Sequence, residues 1–189
     1  MEEQVGAYWH RWITRTANRR FPEAAVALED IQKTVGVLFR ALGGDAGLKV
    51  EASYATDHFG HRSLLQKIAG SDKRTHSAWR DEQALLLPPV IDQFPESKLN
   101  RDLYLWLAML ASGMEHNAKL HWMEQNRINS ASTLQRFPGF QPRYLHLVKA
   151  TLSNRPPLEK IPTEQQPAEQ MIRDLLLDPF TPIPSCNRV

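Results

Sequence analysis

The amino-acid sequence predicts an all-α, or mainly α, protein: an irregular multi-helix bundle with one short β element near residues 48–52. Apolar residues recur at three- and four-residue spacing along several segments, as one buried helix face requires. The run from Leu103 to Ala111 is apolar nearly all round, which marks a helix enclosed by others. Gly43-Gly44, Pro88-Pro89 and Pro138-Gly139 cut the chain into pieces of helical length.

Taken in order, Val5, Tyr8, Trp9, Trp12 and Ile13 form the apolar face of a first amphipathic helix over about residues 2–18, with Arg11, Arg15, Arg19 and Arg20 on or near its other faces. Pro22 suits a first helical turn, and Val26, Leu28, Ile31, Val35, Leu38, Phe39 and Leu42 extend a single stripe to the Gly43-Gly44 stop. Leu48 to Ala52 alternates with a period of two, which fits a short strand or an extended loop. Short helices are expected over 61–69 and 78–85, the second broken before Pro88-Pro89.

Ser97 or Asn100 is the expected N-cap of the central apolar helix. A helix over 117–127 follows, then a separate short one opened by Ser130 or Ser132, then one started by Pro142 that carries Tyr144, Leu145, Leu147, Val148 and Leu152. The proline-rich stretch 155–167 reads as a linker. Thr163 and Gln166 resemble a capping box for a last helix bearing Met171, Ile172, Leu175, Leu176 and Leu177, and residues 179–189 read as an irregular tail. The expected organisation is a helical domain over 1–154, a linker over 155–167, a helix over 168–178 and the tail.

Composition narrows the function. The 189 residues suffice for one domain with a real core. With 23 Lys+Arg against 21 Asp+Glu, the formal charge is only +2, which argues against a nucleic-acid surface. Cys186 is the single cysteine, so no intrachain disulfide forms and a reducing, cytoplasmic setting is expected. No apolar stretch approaches the ~20 residues that span a bilayer, so no membrane partner is expected.

Catalytic and metal constellations are thin. Gly43-Gly44-Asp45-Ala46-Gly47 lacks the Gly-Lys-Ser/Thr of a phosphate loop and follows a helix, so it reads as a helix stop and turn. Asp57, His58 and His61 offer donors without the fourth ligand of a closed zinc site. Glu115, His116, His121 and Glu124 lack the repeated Glu-x-x-His of a di-metal bundle, and residues five apart stand about 140° apart round a helix. No serine sits in a Gly-x-Ser-x-Gly elbow. The expectation is a protein without catalytic residues, metal or cofactor of its own.

Five tryptophans, Trp9, Trp12, Trp79, Trp106 and Trp122, serve either as core or as interface anchors. Core packing suits Trp106 best. Trp9, Trp12 and Arg15 on the first helix are the candidate protein interface, with the stretch from Lys49 to His61 as a second exposed contact; the arginines are either a solvated face or a complement to an acidic partner.

Several stretches carry a family resemblance: Phe21 to Val26, Val35 to Gly44, Leu65 to Ser71, and Leu87-Pro88-Pro89 leading to Leu99 through Ala108. They resemble the N-terminal region of the adaptor proteins CbbO and NorD, over roughly residues 1–120, with CbbO the nearer likeness. The resemblance implies an adaptor partnered by a hexameric MoxR-type AAA+ ATPase, CbbQ for CbbO and NorQ for NorD. Such adaptors end in a von Willebrand factor A domain whose metal-dependent adhesion site grips the client. For CbbO the client is inhibited Rubisco, so the pair acts as a Rubisco activase in carbon dioxide fixation; for NorD it is nitric oxide reductase. The Asp-x-Ser-x-Ser adhesion motif is absent from these residues. The expectation is therefore a coupling domain that lacks the client-gripping part.

Overall fold

The computed structural model describes residues 20–52, 80–81, 84–113 and 122–182. The architecture is mainly α: α1 (Leu28–Ala41), α2 (Ser97–Gly113), α3 (Trp122–Arg136), α4 (Gln141–Ser153) and α5 (Gln166–Leu177) carry the bulk of it. Among the described residues five short strands accompany them: β1 (Val26–Ala27), β2 (Lys49–Ala52), β3 (Arg80–Asp81), β4 (Ala84–Leu87) and β5 (Val90–Ile91).

α2 is the centre, as its composition demands. Leu99, Leu103, Tyr104, Trp106, Leu107, Ala108, Met109 and Leu110 are all buried, and α1, α3 and α4 pack around it. Trp106 lies in this core, nearly parallel to the Phe140 ring at 5.9 Å and tilted against Tyr144 at 4.7 Å, distances at which aromatic pairs attract beyond mere area burial. α1 buries Leu28, Ile31, Val35 and Phe39 at helical spacing, with Glu29 and Asp30 in the first turn and Arg40 in the last, each sign suiting the macrodipole.

Gly43 ends α1 as expected. Its φ of 96° lies in the left-handed region, and the Gly44 N–H reaches back to the Phe39 carbonyl at 2.9 Å. The Leu48–Ala52 alternation is a real strand: β2 runs parallel to β4, Lys49 opposite Ala84 through Ala52 opposite Leu87, and β3 pairs antiparallel on the other side of β4.

Four local expectations are corrected. The single helix predicted from Pro22 is interrupted, because Pro22–Ala24 form a 3-10 turn and Val26–Ala27 pair antiparallel with Val90–Ile91 before α1 begins. The partner strand beyond Pro88-Pro89 uses those backbone groups, so tertiary pairing overrides local propensity. The helix predicted over 78–85 is replaced by β3 and β4. A short apolar run such as Ala84-Leu85-Leu86-Leu87 has no periodicity to separate a buried strand from a helix, and the following proline favours extended backbone.

Ser130 and Ser132 open no new helix, since α3 runs unbroken through both. Serine costs only a few tenths of a kcal/mol inside a helix, too little to break one held by packing. Thr163 and Gln166 form no capping box: α5 starts without a side-chain cap, and Gln166 Nε2 instead donates to the Ile161 carbonyl. The stretch 155–167 holds 3-10 turns at Leu158–Lys160 and Thr163–Gln165, with Ile161 buried between them. The short helix expected over 61–69 lies outside the described residues.

Candidate interaction surface

Two polar ties hold the described elements in place. The first corrects the expected cap role of Asn100. It sits inside α2 and is fully buried; Oδ1 accepts from Phe94 N–H at 3.0 Å, and Nδ2 donates to the carbonyls of Ala24 at 2.8 Å and Phe94 at 2.9 Å. An amide is the one small side chain that both accepts and donates twice, so it serves a bend and a distant segment together. One turn on, the Tyr104 hydroxyl donates to the Pro88 carbonyl at 2.8 Å, and burial pushes its pKa well above the phenolic value.

The second tie binds α5. Glu169 is the only fully buried residue of that helix. Arg155 grips it through Nε and Nη2 at 2.6 and 2.5 Å, and Arg173 Nε adds a contact at 2.8 Å. Desolvation raises the pKa of this carboxyl, yet the hydrogen bonds and charges of Arg155 and then Arg173 outweigh it and hold the carboxyl below its usual range. Further contacts close the junction. Tyr144 donates to the Leu176 carbonyl at 2.9 Å, and Arg127 Nη1 donates to that of Pro179 at 3.2 Å.

Round this junction apolar side chains reach the surface. Ile128, Leu145, Leu177 and Phe180 are exposed, and each directly follows a residue that makes one of those two bonds. No residue of α5 except Glu169 is fully buried, so its leucines are only partly covered. Elsewhere, the Asp102 side chain is only 4% exposed and meets Arg143 at 3.3 Å, while its Oδ2 has no hydrogen-bond partner among the described residues.

The candidate interface residues Trp9, Trp12 and Arg15 lie outside the described residues, as do Arg11, Arg19, Asp57, His58, His61, Trp79, Glu115, His116, His121 and Cys186. Of the second contact stretch, Lys49 to Ala52 is described and is β2. Of the ionisable cluster, Glu124 is described and pairs with Arg127. The hydrogen bond from Arg127 lowers its pKa against a smaller desolvation effect. Among the described residues no group of three or more His, Cys, Asp or Glu is placed to hold a metal ion. Of their ion pairs, Arg20–Asp92, Arg143–Asp102 and Arg155–Glu169 join separate segments, while Glu124–Arg127 and Glu169–Arg173 lie within one helix each. Sequence patterns did not reveal Asn100 or Glu169 as ties; the one available signal was the four-residue spacing of Glu169 and Arg173.

Fold and surface thus define a mainly α-helical domain knit by buried polar ties, with an apolar rim beside its last helix. Along its length the chain is similar to part of proteins named NorD. It is similar to Protein NorD of Stutzerimonas stutzeri, 40% identical over 190 residues that cover 100% of this chain and 31% of that protein. It is 38% identical to an uncharacterized protein of Pseudomonas aeruginosa, PA0525, over 95% of this chain and 29% of that one. Protein NorD of Brucella abortus is 34% identical over 93% of this chain and 29% of its own length. The chain therefore spans about a third of the length of the curated relatives it matches. The named relatives give the nearer likeness to CbbO no support and favour NorD. No protein-family model matches the chain, and no solved structure matches it significantly. Among the described residues no helix is long and apolar enough to cross a membrane.

Proposed function

We propose that the chain is the helical coupling domain of a NorD-type adaptor, working in the cytoplasm beside a hexameric MoxR-type AAA+ ATPase in the activation of nitric oxide reductase. The observation that carries this reading is the 40% identity to a NorD protein along the whole chain. The family likeness supplies the ATPase and the client. The domain itself contributes rigidity and contact: it passes work done by the ring to the part of the adaptor that holds the client, and performs no chemistry of its own. Buried ties such as Asn100 and Glu169 suit that task, because a part that transmits force must not deform under it.

Capture of the cognate hexameric ATPase by the purified, tagged chain tests the reading. Retention of the ring, and its loss when Trp9 and Trp12 are both replaced by alanine in a chain that stays folded, is the expected result. A ring that never binds, or a purified chain that turns over a substrate unaided, overturns it.

A further inference from the structure

An open groove of about 310 Å3 runs between α1 and β2. Lys33, Gly36 and Arg40 form one wall, and Lys49, Val50 and Glu51 the other. Its three cations and one carboxylate leave an excess of two positive charges, as much as the formal +2 of the entire chain. Among the described residues none of Lys33, Arg40 and Lys49 has an ion-pair partner.

The groove is also shaped. Gly36 is a buried residue of α1, with Arg40 and Val50 beside it: Nη1 lies 3.4 Å, and Val50 Cγ2 3.6 Å, from where a Cβ at Gly36 would stand, both ordinary contact distances. The guanidinium thus lies beside Gly36 on the α1 wall of the groove. Gln32 Nε2 donates to the Val50 carbonyl, which fixes α1 to a strand at the edge of the described three-stranded sheet.

We infer that this groove docks an extended acidic segment of a partner protein, whose carboxylates meet Arg40, Lys49 and Lys33. Charge complementarity selects an anionic occupant. Among the described residues no aromatic side chain lines the groove on which a base could stack, so a protein segment is favoured over a single-stranded nucleic acid. The inference rests on the adaptor reading only for the bound segment belonging to a partner.

The test is fluorescence anisotropy of a labelled oligoglutamate peptide titrated with the intact chain, beside a labelled oligothymidylate. Saturable oligoglutamate binding that weakens with salt is expected, reduced by about tenfold or more in the Arg40→Glu, Lys49→Glu double variant and retained in Arg40→Lys, Lys49→Arg. These side chains are exposed, so the variants keep the fold, as circular dichroism will show. Absence of saturable binding, equal binding by the charge-reversed chain, or preference for oligothymidylate overturns the inference. If ring capture fails while oligoglutamate still binds here, the adaptor reading falls and the groove assignment stands.

Discussion

Arg155 and Glu169, fourteen residues apart, meet through two parallel hydrogen bonds of 2.6 and 2.5 Å across the stretch that joins α4 to α5. Glu169 has no exposed surface and the Arg155 side chain is only 12% exposed, so the pair works largely out of water. Removing one partner of such a pair strands a buried charge, which costs more than the pair contributes net.

Replacing Glu169 by alanine is therefore expected to lower unfolding free energy by about 3 kcal/mol, read from urea denaturation. The same carboxyl gives the pH dependence its sign. Its folded pKa is depressed, so its contribution is fully present above the unfolded carboxylate pKa and is lost as pH falls toward the folded one. Acid titration of stability should be shallower in the Glu169→Gln chain; equal slopes would refute the assignment.

At Asn100 the demand is for two donors and an acceptor together. Leucine has nearly the same size and none of these groups, leaving the carbonyls of Ala24 and Phe94 and the N–H of Phe94 without their partner. A loss of about 3 kcal/mol is expected for Asn100→Leu. Asn100→Asp, which turns the donor into a second acceptor facing two carbonyls, should lose at least as much at neutral pH. Thermal denaturation of the two variants decides it.

Arg143 is 53% exposed, and an alanine there would ordinarily be harmless. Here it also faces the buried Asp102 and lies 5.9 Å from the Phe140 ring centroid. We expect Arg143→Ala to cost about 1 to 2 kcal/mol, and Asp102→Asn to cancel most of that in the double variant. Strict additivity of the two single changes would contradict the coupling.

Gly44 and Gly139 form a contrasting pair. A Cβ at Gly44 would stand 2.5 Å from the ring of the buried Phe39, whereas a Cβ at Gly139 meets nothing within 4 Å. Alanine should destabilise by about 1 to 3 kcal/mol at Gly44 and leave Gly139 within about 0.5 kcal/mol, both measured by chemical denaturation.

Legibility in the sequence followed the physics of each segment. The apolar run around Trp106 and the Gly43-Gly44 stop are plain because their signals are local, whereas the Leu48–Ala52 alternation fits a strand or an extended loop and is decided by its pairing with β4. β4 is not plain, since Leu85-Leu86-Leu87 carries no period and its strand identity comes from β2, more than thirty residues earlier. Asn100 looked like a cap because its partner Ala24 stands 76 residues away, beyond any spacing rule. The groove is half legible: Lys49 belongs to the stretch the sequence offers as an exposed contact, while its nearness to Arg40 comes from the packing of α1 beside β2.

The glutamate at the heart of α5 has one more effect. Half-covered leucines would tolerate a slip of one turn along their neighbour, but a carboxylate gripped by Arg155 from outside the helix, with Arg173 bonded to the Pro156 carbonyl, accepts a single axial setting. The heading on which residues 178–182 leave the core is thereby set by charge, in the way a key sets a shaft. Replacing Arg155, Glu169 and Arg173 together by apolar residues of like size should leave stability nearly intact and double the NMR signals of Leu175 and Leu176; a single sharp set would show that packing alone determines the alignment.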